Sequence, residues 1–202
     1  MVTSGQIVIL NGTSSSGKTT LANRVHDLSD DHWVVTDQDD FTRSLQPIYV
    51  DVGDTGTVER PEGFFFARDA NGSVHVETGP TGRRVLAGYR RATVALARSG
   101  NNVVVAEAKF DRFGLDDWID ALQGLRALWV AVRCSLEECQ RRELERGDRI
   151  RGLAAGHYDR VHESVVYDVE VDLTNSQVDV AALQILGALE VSGRTRRIRT
   201  PQ

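Results

Sequence analysis

One stretch near the start of the chain constrains the fold more than any other. Residues 7–10 read Ile-Val-Ile-Leu, an apolar run without alternation that is typical of a strand buried on both faces. The segment from Gly12 to Thr19 then matches the pattern G-x-x-x-x-G-K-[ST]. Apolar residues at helical spacing follow over 19–28. This order of strand, glycine-rich loop and helix predicts a backbone that wraps around an anion.

The chemistry of the loop indicates a polyphosphate ligand. Glycines allow the tight turn, and the backbone N–H groups and the helix N-terminus attract the anion. We expect Lys18 to reach the β- and γ-phosphates and the Thr19 hydroxyl to bind Mg²⁺. The predicted nucleotide-binding residues are Gly12, Thr13, Ser14, Ser15, Ser16, Gly17, Lys18, Thr19 and Thr20. The chain has no N/T-K-x-D sequence for guanine, which argues against a GTPase.

Strands and helices alternate along the rest of the chain. Further predicted strands lie at 32–36, 103–106, 128–132 and 169–173. Helical patterns lie at 83–99, 115–122, 136–146, 158–167 and 178–189, with a short one at 42–49 that Pro47 interrupts. The chain therefore predicts an α/β, P-loop NTPase fold, with a mostly parallel five-stranded sheet and helices on both faces.

The segment 50–82 departs from this alternation. It is rich in Gly, Asp and Thr, and two apolar runs at 63–67 and 73–76 flank Asn71-Gly72, which is a strong hairpin signal. We predict an inserted β-hairpin near the acceptor site. The segment belongs to a single domain spanning 1–191, and a flexible basic tail follows at 192–202.

Three acidic residues follow the predicted strand at 32–36. Transfer of a phosphoryl group to an alcohol needs a group that orients the hydroxyl and accepts its proton. Asp37, Asp39 and Asp40 compete for this role; we favour Asp39, with Asp37 second, and expect the others to face the substrate. Glu107 ends the strand at 103–106, and we expect it near Mg²⁺ or the substrate. The alternative for each residue is an ordinary solvated or strand-end acid.

An arginine-rich segment follows the predicted strand at 128–132. Arg142, Arg146 and Arg149 recur at three- and four-residue steps, so they would share one face of a helix. We predict a hinged lid at 141–157, with a break at Gly147 and a loop at 152–156. Its arginines would neutralise charge on the transferring group and exclude water. The alternative is a solvated helix with Glu/Arg pairs.

Charge and composition indicate where the protein acts and which kinds of partner it lacks. The net charge is −5, and no apolar run reaches the length of a membrane span. We expect a cytoplasmic protein that binds neither membranes nor nucleic acid, and the oligomeric state, including a homo-oligomer, stays open. Cys134 and Cys139 have a C-x4-C spacing that does not match a common zinc motif.

The chain resembles the chloramphenicol phosphotransferase family from about residue 6 to residue 190. The matching pieces are Ile9–Lys18, Trp129–Cys134, Arg146–Arg149, Val161–Glu163 and Tyr167–Asp172, of which the last two are the most specific. The resemblance implies ATP, Mg²⁺ and an O-phosphotransferase acting on an antibiotic-like hydroxyl. It implies a base that matches Asp39 when aligned from Trp33 and Asp40 when counted back from Pro47. It also implies lid arginines at Arg142, Arg146 and Arg149.

Two departures and a second resemblance keep the acceptor open. Residues 106–110 read AEAKF where the family tends to carry paired aspartates, and the segment 50–82 is longer and has three consecutive phenylalanines. The sequence Asp37-Gln38-Asp39-Asp40-Phe41 resembles the D-x-D-x-F of zeta-type toxin kinases, which phosphorylate UDP-N-acetylglucosamine. That resemblance again points to Asp39 as the base. A nucleotide-dependent regulatory protein without an acceptor is the third alternative.

Overall fold

The elements of secondary structure alternate between strands and helices. A computed structural model describes residues 3–51, 61–68, 73–108, 112–146, 151–175 and 177–195. The strands are β1 Ile7–Asn11, β2 Trp33–Asp37, β3 Val50–Asp51, β4 Phe64–Arg68, β5 Val74–Thr78, β6 Asn102–Glu107, β7 Ala127–Arg133 and β8 Val169–Asp172. The helices are α1 Lys18–Leu28, α2 Gln38–Arg43, α3 Pro80–Arg98, α4 Arg112–Ala121, α5 Leu136–Arg146, α6 Leu153–Tyr158 and α7 Val178–Thr195. A short 3₁₀ turn spans Pro47–Tyr49.

Within the described residues, the main sheet has five strands in the order β2-β6-β1-β7-β8. Every neighbouring pair is parallel, so the predicted sheet is confirmed. In the register, Asn11 lies opposite Glu107 on one side and Ala131 on the other, while Asp37 lies opposite Ala106. The carboxyl ends of the central strands therefore meet at one edge, where open α/β sheets bind their ligands.

Side chains of β1 supply both faces of the core. Val8 and Leu10 pack in the cluster that includes Leu21 of α1 and Ile185 of α7. Ile7 and Ile9 pack on the other face with residues of α3 and α4, such as Tyr89 and Trp118. All of these β1 side chains are fully buried, which explains why the run lacks alternation.

A small second sheet accounts for part of the segment between β2 and α3. Strand β4 pairs antiparallel with β5, as the hairpin signal predicted, and β3 pairs parallel with β4. The expected turn at Asn71-Gly72 lies outside the described residues. The second sheet contacts α6 closely, because a Cβ added at Gly156 would lie 1.8 Å from the Val74 carbonyl oxygen.

Two predicted segments near α6 are wrong. No helix forms over 159–167: α6 ends at Tyr158, the Val161 carbonyl accepts a hydrogen bond from the Asn11 amide (2.8 Å), and Ser164 has a left-handed φ of +60°. The loop expected at 152–156 is largely helix. The buried carboxylate of Glu143 accepts hydrogen bonds from the N–H groups of Gly152 and Ala154 and so satisfies the first turn of α6.

The acidic stretch after β2 also differs from the prediction. It is the first turn of α2 and not a turn before a helix at 42–49. The Asp37 carboxylate accepts the Asp39 N–H (2.9 Å) and caps this helix, which stops at Arg43. None of the helices in the described ranges combines the length and apolarity needed to cross a membrane.

Candidate active site

The phosphate loop joins β1 to α1 in a tightly packed turn. Gly17 has a φ of +97° and Ser15 a φ of +61°, so the backbone uses left-handed geometry at two positions. At Gly12 a Cβ would lie 2.5 Å from the Val132 carbonyl oxygen, so glycine is required there by close approach to β7. Lys18 begins the helix, as the motif predicts, and its Nζ donates a hydrogen bond to the Thr13 carbonyl (2.6 Å).

Residues far along the chain support this loop from behind. Asn11 Nδ2 donates to the Val161 carbonyl and to the Tyr167 hydroxyl (2.6 Å), which lies 2.8 Å from His162 Nδ1. Burial raises the pKa of Tyr167 and keeps its hydroxyl protonated. Sequence reasoning noted the 161–172 segment without giving it a role. The Val161 carbonyl and the Tyr167 hydroxyl of this segment hold the end of β1, from which the phosphate loop starts.

Asp37 lies beside the hydroxyl that was expected to bind magnesium. Thr19 Oγ1 donates to Asp37 Oδ2 (3.1 Å), and both residues line the same cleft. Burial raises the pKa of Asp37, and the hydrogen bond from the Asp39 N–H opposes this shift. A hydroxyl and a carboxylate next to a phosphate loop are hard oxygen ligands of the kind Mg²⁺ prefers. The oxygen atoms of Thr19 and Asp37 therefore fit the type of ligand that the predicted metal position requires.

Asp39 and Asp40 take different positions on α2. Asp39 lines the cleft with Lys18, and its side chain is 24% exposed. Arg43 Nη2 lies 3.5 Å from its Oδ2. Asp40 is 68% exposed and pairs with Arg43 (3.1 Å) outside that cleft. Of the two alignments for the base, this placement favours Asp39, and it removes Asp40 from the expected substrate-facing set.

Glu107 does not lie where the sequence suggested. Its side chain is buried and forms an ion pair with Arg90 of α3, with 2.9 Å between Oε1 and Nη2. Arg90 also contacts Asp117 (3.1 Å), and its guanidinium lies 6.0 Å from the centre of the Trp118 ring. Burial raises the pKa of Glu107, and Arg90 opposes the shift. The carboxylate faces the α3–α4 layer because its β6 position alternates with those of Ala106 and Ala108, which line the cleft.

The arginines of the predicted lid do not share one position. Arg142 donates to the carbonyl oxygens of Ser16 (3.3 Å) and Leu173 (2.8 Å) and to the Glu138 carboxylate (2.7 Å), so it braces the phosphate loop. Arg141 and Arg142 lower the pKa of Glu138 to about 2. Arg146, at the end of α5, lines the cleft beside the loop. Arg149 lies outside the described residues.

Two clefts meet at the phosphate loop. The carboxylate cleft is lined on its own side by Ser14, Lys18, Thr19, Asp37, Gln38, Asp39, Ala106, Ala108, Leu153 and His157. The arginine cleft is lined on its own side by Arg142, Glu145, Leu173 and Val178. Both are also bounded by Ser15, Gly17, Thr20 and Arg146. Two ligands, one in each cleft, would therefore meet beside the phosphate loop.

Cysteine and metal-binding patterns add nothing to this site. Cys134 and Cys139 are buried free thiols, and burial raises the pKa of Cys139 to about 12. In the part of the chain that the structure describes, no group of three or more His, Cys, Asp or Glu side chains is placed to hold a metal ion.

Comparisons with solved structures agree with the fold. The gluconokinase of Sinorhizobium meliloti matches all of this chain and all of its own, with a TM-score of 0.63 and 14% identity. The APS kinase CysC of Mycobacterium tuberculosis, solved with AMPPNP and APS, matches 93% of this chain and 99% of its own, with a TM-score of 0.60 and 19% identity. At these identities the likeness shows the shared α/β fold of P-loop kinases.

Comparisons at the level of sequence are more specific. Two relatives from strains of Mycobacterium tuberculosis, each named "Putative O-phosphotransferase", are 34% identical over 185 residues, covering 90% of this chain and 80% of theirs. The family model described as "Chloramphenicol phosphotransferase-like protein" matches residues 5–190. The resemblance inferred from the phosphate loop and the 161–172 segment is thus confirmed, and the chain belongs to the chloramphenicol phosphotransferase-like family.

Proposed function

We propose that this protein transfers the γ-phosphoryl group of ATP to a hydroxyl group of a small molecule. One observation carries the proposal: the phosphate loop, with Lys18, and the Asp39 carboxylate line the same cleft. The family and its relatives named as O-phosphotransferases support this reaction class. We propose that residues 1–191 act as one catalytic domain in the cytoplasm, where ATP is available.

The nucleotide would occupy the arginine cleft and extend its phosphates along the loop. Backbone N–H groups of the loop and the start of α1 would bind the anion, and Lys18 would contact the β- and γ-phosphates. Arg142 already fixes the loop through the Ser16 carbonyl, so its contribution is to hold the binding geometry. Arg146, which lines both clefts, is placed to neutralise charge on the group in transfer.

Thr19 and Asp37 are the residues that would hold Mg²⁺. The ion would neutralise charge on the β- and γ-phosphate oxygens. The Thr19–Asp37 hydrogen bond and the capping of α2 by Asp37 keep these two side chains together at the edge of the carboxylate cleft. The role of Asp37 is therefore distinct from that of Asp39, which lies in the first turn of α2 and lines the cleft.

Asp39 would act as the base. Its carboxylate would accept a hydrogen bond from the acceptor hydroxyl and orient the oxygen toward the γ-phosphorus. The oxygen–phosphorus bond forms as the bond to the leaving ADP oxygen breaks, and Asp39 takes the hydroxyl proton. Arg43, 3.5 Å from Asp39, helps to orient the carboxylate. The acceptor expected from the family is an antibiotic or a related metabolite, with UDP-N-acetylglucosamine as the alternative that the 37–41 sequence suggests.

A transfer screen tests this function. Purified protein with Mg-ATP is incubated with chloramphenicol, other antibiotics, nucleosides, amino sugars and UDP-N-acetylglucosamine. Mass spectrometry then looks for a gain of about 80 Da, which corresponds to one phosphoryl group. We expect a product with wild-type protein and about 10²- to 10⁴-fold slower formation with Asp39→Asn, whereas Asp40→Asn serves as the matched control and stays active.

The outcomes separate the alternatives. ATP binding without transfer to any compound would contradict the proposed reaction and favour a regulatory role. Phosphorylation of UDP-N-acetylglucosamine alone, with toxicity in a heterologous host that Lys18→Ala removes, would replace the antibiotic-like acceptor with the nucleotide sugar.

A further inference from the structure

His157 connects the second sheet with the carboxylate cleft. It lies on α6, is 4% exposed, and lines the cleft together with Lys18 and Asp39. The preceding Gly156 allows the backbone of α6 to approach β5 at Val74 more closely than any side chain would permit. One imidazole is thus held between a segment inserted after β2 and the cleft in which we place the transfer reaction.

The hydrogen bonding of this ring fixes its tautomer. The backbone N–H of Val76 on β5 donates to Nε2 of His157 (3.1 Å), so Nε2 carries the lone pair. Burial lowers the pKa of His157 to about 3, and the nearby His75, Arg160 and Lys18 contribute in the same direction. The ring is therefore neutral near pH 7, its proton is on Nδ1, and Nδ1 is its hydrogen-bond donor.

Gln38 offers a complementary group in the same cleft. It lies between Asp37 and Asp39 at the start of α2, and the residue is 5% exposed. Its Oε1 is buried and accepts no hydrogen bond within the described ranges. Leaving a buried amide oxygen unsatisfied costs free energy, which a bound donor would recover. The cleft thus presents an uncharged donor on α6 and an uncharged acceptor on α2, beside the proposed base.

We propose that His157 Nδ1–H and Gln38 Oε1 bind the acceptor molecule next to its reactive hydroxyl, and that the main chain of β5 sets the tautomer His157 needs for this. The inference rests on the proposed kinase function and adds two residues that determine which acceptors bind. Both groups are uncharged and lie beside Asp37 and Asp39. They select an acceptor with neutral hydrogen-bonding groups near its hydroxyl and disfavour an anionic group at that place.

The location of these residues distinguishes acceptor binding from nucleotide binding. Both line the carboxylate cleft, and neither is among the described residues that line the arginine cleft. Changing them is therefore expected to alter the KM for the acceptor. The affinity for Mg-ATP should stay nearly constant.

Two substitutions of His157 distinguish the role of Nδ1 from that of Nε2. In His157→Gln the amide oxygen reaches the place of Nε2 and keeps the Val76 contact, but the donor at Nδ1 is lost. In His157→Asn the amide nitrogen takes the place of Nδ1 and keeps the donor. We expect His157→Gln to raise the acceptor KM about tenfold, as for loss of one buried hydrogen bond, and His157→Asn to raise it less.

The acceptor in this experiment is the compound that wild-type protein phosphorylates in the transfer screen, with chloramphenicol tested first. The dissociation constant of Mg-ATP, measured in parallel, is expected to stay within about twofold of wild type in both variants. An unchanged acceptor KM in His157→Gln, or a rise confined to the nucleotide, would overturn the inference while leaving the kinase function intact. If wild-type protein phosphorylates no compound, the proposed function itself fails.

Nitrogen NMR of histidine-labelled wild-type protein gives a readout independent of turnover. The His157 ring, assigned as the resonance absent from His157→Gln, is expected to show a protonated Nδ1 and an unprotonated Nε2 between pH 5 and 8. A proton on Nε2, or a ring that becomes charged in this range, would overturn the assignment of the donor even if the kinetic variants were impaired by misfolding.

Discussion

Two acidic positions at the ends of neighbouring strands have opposite environments. Asp37 ends β2, starts α2 and opens with Asp39 onto the carboxylate cleft, where Thr19 and Lys18 also lie. Glu107 ends β6, the strand paired with β2, yet its side chain is 3% exposed and is neutralised by Arg90. The sequence predicted that Asp37 would face the substrate or act as the base and that Glu107 would lie near Mg²⁺ or the substrate, and of the two only Asp37 lines the cleft.

The difference shows that the face of a strand decides the role of an acid at its end. Val103 and Val105 pack toward α3 and α4, and Glu107 continues that alternation, so its carboxylate is directed into the same layer. The alternation of strand β2 does not fix the direction of Asp39, because Asp39 lies on helix α2, which follows this strand. We therefore expect substitution of Asp39 to affect turnover and substitution of Glu107 to affect stability.

The largest expected effect is on turnover in Asp39→Asn. Loss of a positioned base typically lowers kcat by about 10²- to 10⁴-fold, and the partly exposed side chain adds little to folding. We expect the melting temperature and the Mg-ATP affinity to stay near wild type. Steady-state kinetics with the acceptor from the transfer screen measure the change, and exposed Asp40→Asn is the control. Full activity in Asp39→Asn would contradict the assignment of Asp39 as the base.

The next effect is on stability in Glu107→Gln. The substitution removes the buried counter-charge of the Arg90 guanidinium and leaves this charge paired with the partly exposed Asp117, and breaking a buried ion pair costs about 3 kcal/mol. Urea denaturation measures this loss, and the kcat of the remaining folded protein is expected to be close to wild type. Asp117→Asn removes the 40% exposed partner of the same guanidinium and should cost below about 1 kcal/mol. A lower kcat without a loss of stability in Glu107→Gln would show that Glu107 acts in the reaction and not in the fold.

The smallest expected effect is on the stability of Asp37→Asn. Its pKa is raised by burial, so the folded state holds this proton more tightly than the unfolded state does. Its ionisation therefore lowers the stability as the pH rises from below the ordinary value of 3.8 through the raised pKa. Asp37→Asn keeps a good helix cap and should raise the free energy of unfolding at pH 7 by less than about 1 kcal/mol.

The measurement for Asp37→Asn is denaturation at several pH values. The gain over wild type is expected at neutral pH and should vanish below the ordinary pKa, where both side chains are neutral. A variant that is less stable than wild type at neutral pH would show that contacts of the ionised carboxylate outweigh its burial.

The parts of the fold that the sequence predicted depend on local patterns. Apolar runs marked β1, β6 and β7 of the main sheet, and the spacing of Gly12, Gly17 and Lys18 marked the loop with the helix that follows it. Asn71-Gly72 marked the hairpin because turn chemistry is local as well. Such signals need no knowledge of distant partners.

The parts that were missed depend on partners far away in sequence. Helix α6 begins where the Glu143 carboxylate satisfies its first N–H groups, and the helix predicted at 158–167 does not form, because Asn11 binds the Val161 carbonyl. The burial of Glu107 follows from Arg90 on another helix. His157 carried no motif of its own. A histidine in a glycine- and alanine-rich stretch becomes informative only when Val76 of the second sheet is placed against it.

Calorimetric titration of Mg-ATP tests the central claim most directly, because every role assigned above requires a triphosphate held by the phosphate loop. We expect saturable binding with one site per chain, weakened at least tenfold in Lys18→Ala and nearly unchanged in Asp39→Asn. Absence of binding to the wild-type protein, or equal binding to Lys18→Ala, would contradict the account.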